Sequence, residues 1–157
     1  MDRTTRRGPS YFGVLAWLSL FWGTIFAVAD ESKDYALMGR ATWSAFVCAT
    51  LASAANLPKE QERLFQFGYE QGQKYIAALK ANKITREDAS REVPIAMLLF
   101  VGGPTSEFIL GRMFERATDS AMKNVAEVGG QYVPTEQRPL LASNEFTRMN
   151  CRLIGTR

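Results

Sequence analysis

The chain contains no histidine and only two cysteines. Without histidine it lacks both the commonest general base and the commonest metal ligand. Two cysteines at positions 48 and 151 cannot supply a zinc site or a C-x-x-C redox pair from the usual parts. No G-x-S-x-G elbow is present to expose a serine nucleophile, and the absent histidine removes its usual base as well. Neither a repeat, a low-complexity tract nor an N-x-S/T sequon occurs, and runs of strand-like alternation are scarce. Charge of one sign is also missing. The net charge is +3, but residues 1–29 hold three arginines against one aspartate, so the remainder is nearly neutral. A nucleic-acid partner needs a basic patch that neutralises phosphates, and none is apparent.

Against these absences the N-terminus stands out. Three arginines lie within the first seven residues, nineteen uncharged residues follow from Tyr11 to Ala29, and Ala27-Val28-Ala29 stands directly before Asp30. A basic head, an apolar middle and a small-x-small exit are the pattern of an export signal. Residues 1–29 are therefore expected to be a signal peptide, or else an uncleaved signal anchor, since about twenty apolar residues suffice to span a bilayer. In either case the arginines keep that end in the cytoplasm and residues 30–157 face the periplasm or the outside. The only membrane contact expected is through residues 11–29.

In an oxidising compartment Cys48 and Cys151 are expected to form a disulfide, the single pairing available, and two buried free thiols are the plainer alternative. Closing a loop of 103 positions stabilises a fold by about 4–5 kcal/mol in the chain-entropy picture. Asp30 to Tyr35 reads as a charged spacer, and residues 36–157 as one helical domain. Leu37, Ala41, Ala45, Cys48, Ala52 and Ala55 recur at helical spacing, with Trp43, Phe46, Val47 and Leu51 on other faces, so this helix should be buried on most sides. Asn56-Leu57-Pro58 stops it and starts a second, to about Ala81, with Phe65, Tyr69, Gly72, Ile76 and Leu79 as its stripe and Leu64, Gly68 and Tyr75 alongside. Glu70 and Lys74 are spaced as an i,i+4 pair. Thr85 caps a short polar helix with an acidic first turn. After Pro94 the seven apolar residues Ile95 to Val101 read as a core segment. A long amphipathic helix begins after Gly102-Gly103-Pro104, with Leu110, Phe114, Ala117, Ala121, Val125 and Val128 inward and Arg112, Glu115, Asp119 and Lys123 outward. Gly129-Gly130 ends it, an ordered loop follows, and a last helix runs from Pro139 to about Asn150. The expected fold is all-α, a single compact bundle of four to five helices closed by one disulfide.

Three constellations carry possible binding chemistry. Gly68 and Gly72 lie one turn apart inside a helix, where each costs about 1 kcal/mol relative to alanine. They provide either a ligand shelf flanked by Tyr69 and Tyr75 or close packing against the alanine-rich first helix. Gly103, with the hydroxyls of Thr105 and Ser106, precedes a helix N-terminus that can hold an anion; without a following lysine it is no Walker loop, and a capped helix start is the plainer reading. Arg112 can anchor a partner or lie on the polar face with its stem along Phe108. No metal and no cofactor is expected.

In layout the chain is similar to periplasmic chaperones of the HdeA type and to small periplasmic immunity proteins. The likeness extends to no motif, so it assigns no residue a role. The expectation is an exported, non-enzymatic binding protein that meets a protein partner through a helical face, as inhibitor, immunity factor or chaperone-like module. A small-ligand carrier with a pocket near Gly68 and Gly72 is the second reading. A carboxylate-dependent hydrolase drawing on Glu87, Asp88, Glu92, Glu107, Glu115 or Asp119 is the third.

Overall fold

The structure, a computed structural model, describes the backbone of residues 22–156 and the side chains of residues 31–156. Two units make up the chain, Met1–Asp30 and Glu31–Arg157. Residues 1–21 of the expected export signal, and the side chains of its Ala27-Val28-Ala29 exit, lie outside the described residues. The protein is mostly helical: α1 (Trp22–Ala54), α2 (Pro58–Lys80), α3 (Arg86–Glu92), α4 (Ile95–Leu98), α5 (Ser106–Ala126) and α6 (Arg138–Arg148), with short 3-10 turns at Thr135–Gln137 and Cys151–Leu153. Among the described residues no helix is long and apolar enough to cross a membrane.

Within the second unit, α1 is the inner helix. Every residue from Ala45 to Leu51, together with Ala52, is buried. Alanine makes this possible, because its short side chain lets neighbouring backbones approach on several sides at once. Amphipathic α2, α5 and α6 turn their apolar faces inward through residues such as Leu64 and Ile76, Leu110 and Met113, and Phe146. The polar atoms of this inner helix are satisfied. Thr42 donates to the Met38 carbonyl, and Thr50 bonds both the Phe46 carbonyl and the Thr118 hydroxyl of α5, the latter at 3.0 Å. Cys48 and Cys151 are both buried and lie at disulfide distance, with Cα atoms 5.5 Å apart, a separation natural to the bond.

Helix ends follow local chemistry. Asn56, Asn82 and Asn150 each take a left-handed backbone with φ between 53° and 59° just past α1, α2 and α6. At the first two, the amides of Leu57 and Lys83 reach back to the Ala52 and Ala78 carbonyls while the asparagine amides bond Ser53 and Leu79. These are Schellman closures, which asparagine tolerates better than most residues. Thr85 and Thr105 cap α3 and α5 by accepting from the Asp88 and Phe108 amides.

Several expectations need correction. The inward face of α2 is centred on the expected flank: Leu64, Gly68, Gly72, Tyr75 and Ile76 are buried, while Phe65 of the expected stripe is 40% exposed. Glu70 accepts from Gln66 rather than pairing with Lys74. Glu31 to Tyr35, expected as a spacer, belong to α1 and are docked. The Ser32 hydroxyl is buried, donates to Asp88 and accepts from the Thr85 amide, and Glu31 pairs with Lys83 at 2.9 Å. The fold is not purely helical. α5 ends at Ala126, and β1 (Glu127–Val128) pairs antiparallel with β2 (Gln131–Tyr132). Gly129 and Gly130, at φ +60° and +79°, form the tight turn between them, a geometry that suits two glycines in a two-residue hairpin. Val128 consequently sits on an exposed strand rather than on the helix's inner face.

Candidate functional site

The expected binding residues fall into separate places, and most have structural duties. Gly68 lies against Phe46 and Ala45 of α1; a Cβ there would come within 2.8 Å of the Phe46 ring. Gly72 faces Leu110 and Thr42, and a Cβ would meet Leu110 at 2.3 Å. The ligand shelf expected beside these glycines is therefore filled by protein: they let α2 pack closely on α1 and α5. Tyr69 joins an aromatic group with Phe65, Phe46 and Phe114. Phe114 meets both phenylalanines edge-on, at 5.2 and 5.3 Å. Tyr75 is fully buried with its ring over Gly39, and burial pushes its hydroxyl up to about 12. Among the described residues that hydroxyl has no hydrogen-bond partner.

The start of α5 is likewise self-satisfied. Thr105 takes the Phe108 amide, Ser106 accepts from Lys80 at 3.1 Å, and Gly103 makes room for the Phe108 and Ile109 side chains. Glu107 binds its own backbone amide and the Thr105 hydroxyl, and these hold its carboxyl below the usual range. A carboxylate thus already occupies the positive end of the helix where an anion would go. Among the described residues no group of three acids or cysteines is placed to hold a metal ion.

Two surface features remain. The larger is an open groove of about 720 Å³ between α1, α2 and the segment after Cys151. Leu37, Ala41 and Ser44 form one side of it, Phe67 and Gln71 another, and Leu153 to Thr156 the third.

The other lies on α4. The seven-residue run expected as core buries only Met97 within this helix, whereas Ile95 is 76% and Leu99 72% exposed. A helix of one turn offers one face to the body and leaves the rest to solvent, so a run apolar on every side must expose part of itself. Beside Leu99 a cleft of about 290 Å³ is bounded by Trp43, Ala96, Phe100, Arg116 and Lys123. Phe100 carries two guanidiniums, Arg112 at 4.9 Å and Arg116 at 4.7 Å from the ring centre. Arg112 also donates to the Gly102 carbonyl and lies near Phe108, so it fastens the α4–α5 loop to α5 while its charge stays at the surface. Arg116 pairs with Asp119 at 3.2 Å.

Sequence reasoning named Arg112 but missed Ile95, Leu99, Phe100 and Arg116. The signal was available: Pro94 and Gly102-Gly103 confine the run to less than two full turns, and Arg112 and Arg116 are spaced to share one face. No protein-family model, curated protein or solved structure matches the chain.

Proposed function

We propose that this chain is an exported, non-enzymatic binding protein that engages a protein partner through the α4 face and the adjoining edge of α5. In this reading residues 1–29 are a cleaved signal or a retained anchor, and the residues from Glu31 on form a helical bundle closed by the disulfide in the periplasm or outside the cell. The observation that carries the proposal is the exposed pair Ile95 and Leu99 beside Phe100, rimmed by Arg112, Arg116 and Lys123. Large apolar side chains grouped on a surface and edged by polar ones mark a contact site more often than a chance exposure. Aromatic and arginine side chains are also those that anchor protein interfaces. A fitting partner presents apolar side chains flanked by polar groups of both signs, because Glu115 and Asp119 stand beside the cations on the same rim.

The test compares affinity capture from the host's envelope fraction by the unaltered protein and by the double variant Ile95→Ser, Leu99→Ser. A protein retained by the first and lost by the second, with helicity unchanged, supports the proposal. Equal retention by both removes the α4 face from consideration, and a robust hydrolytic activity abolished by changing one carboxylate would overturn the non-enzymatic reading.

A further inference from the structure

The segment following α6 walls a groove while leaving most of its residues in solvent. Arg152, Leu153, Gly155 and Thr156 are exposed, Leu153 to 71%, and only Cys151 is fully buried. Arg63 of α2 donates to the Ile154 and Cys151 carbonyls, and Gly155 rests on the Phe67 ring with its φ at +73°. Arg63 is itself about one-third exposed and also serves Glu60, so its hold is shared and open to water. The half-buried Ile154 packs against the core, and the covalent attachment runs from Cys151 to the centre of α1 at Cys48.

We infer that residues 151–156 are a redox-dependent strap, held closed over the α1–α2 groove by the Cys48–Cys151 bond and freed when a dithiol reduces it. One thiolate of the dithiol attacks a sulfur of the protein disulfide, giving a mixed disulfide and releasing one cysteine. The second thiol then attacks the mixed bond, so the reductant leaves as a cyclic disulfide and both protein cysteines gain a proton. Both sulfurs are buried, so the dithiol reaches them only through a local fluctuation around the bond, and once it is reduced no covalent tie draws the strap back. Opening removes the groove wall formed by Leu153 to Thr156 and uncovers Phe67, Leu37 and Ala41. Meanwhile α2 and α5 remain anchored on α1 through Gly68, Gly72, Phe114 and Thr118, contacts that the strap does not touch.

The experiment is amide hydrogen exchange on the full chain, oxidised and after dithiothreitol treatment. After reduction the amides of Leu153 and Ile154, which donate to the Asn150 and Cys151 carbonyls, should exchange at least about tenfold faster, while those of α2 and α5, although lowered by the stability the bond contributed, stay protected relative to an unfolded chain. The double variant Cys48→Ala, Cys151→Ala should show the same local pattern without reductant. Arg63→Ala in the oxidised protein should leave the strap protected. No change on reduction, complete loss of protection across α2 and α5, or release of the strap by Arg63→Ala alone would each overturn the inference.

Discussion

Two uncharged apolar stretches, Ala45 to Ala52 in α1 and Ile95 to Val101 around α4, meet opposite fates. The first is buried throughout and built largely of small residues, Ala45, Cys48, Ala49, Thr50 and Ala52 among them. The second carries larger side chains and exposes Ile95 and Leu99. Hydrophobicity alone ranks them the wrong way round. What separates them is geometry. A long helix of small residues can be surrounded, because several neighbours fit at short distance. A single turn between Pro94 and Gly102 has room for one contact face. Burial in this protein follows how many neighbours can reach a segment, and the surplus apolar area of α4 becomes surface.

This contrast can be broken at either end. The largest effect is expected at the centre: Phe46→Ala removes a fully buried ring that touches Phe65 and Phe114 and should cost about 3–5 kcal/mol in denaturant unfolding. Gly68→Ala comes next. The gain in helix propensity is outweighed because the new methyl meets a rigid buried ring and the Ala45 methyl, and a net loss of about 1–3 kcal/mol is expected from the same measurement. A gain there would show that α2 can move away from α1 freely. Tyr75→Phe should raise stability by about 1 kcal/mol, since it removes a buried hydroxyl without a partner while keeping the ring over Gly39. A loss instead would reveal that the hydroxyl is satisfied in solution. At the outer stretch, Ile95→Ser with Leu99→Ser should shift stability by no more than about 0.5 kcal/mol per site, and thermal unfolding measures it. A large loss would mean that α4 is core after all.

The smallest effect concerns the docked start of the described side chains. The Ser32 hydroxyl, and after it the Thr85 hydroxyl, hold the Asp88 carboxyl below its ordinary value of 3.8. A lowered carboxyl contributes stability that is complete above that value and is lost as pH falls through the group's own lower one. Glu31, bonded by Lys83 and Tyr35, is shifted in the same direction. The advantage of the unaltered protein over Ser32→Ala should therefore be constant near neutrality and shrink in acid, as read from melting temperatures across that range. A difference independent of pH would place the Ser32 contribution elsewhere.

Much of the helical layout was legible because its signals are local. Asn56-Leu57-Pro58, Asn82, Thr85 and the Gly102-Gly103-Pro104 break all mark boundaries close to those observed, since capping and turn chemistry involve neighbours in the chain. The outward residues Arg112, Glu115, Asp119 and Lys123 of α5 are where periodicity puts them, three exposed and Arg112 half-buried. The two-residue hairpin at Gly129-Gly130 was missed because two residues per strand are too few for alternation to register. Which of the glycine readings holds at Gly68 and Gly72 could not be decided in sequence, because both begin with the same absence of a side chain. Their neighbours Phe46 and Leu110 are distant along the chain.

By itself, the order of residues determined where most of the helices lie and several of their ends, and it offered one possible cystine. Those outcomes depend on backbone propensity, caps and counting, which need no knowledge of distant partners. Tertiary structure alone decided that Cys48 and Cys151 come together, that α2 presents Leu64 and Gly68 inward rather than Phe65, and that Ile95 and Leu99 are left facing water. The reason is that burial and close approach belong to pairs of elements, and a pair is specified only once the chain has folded back on itself.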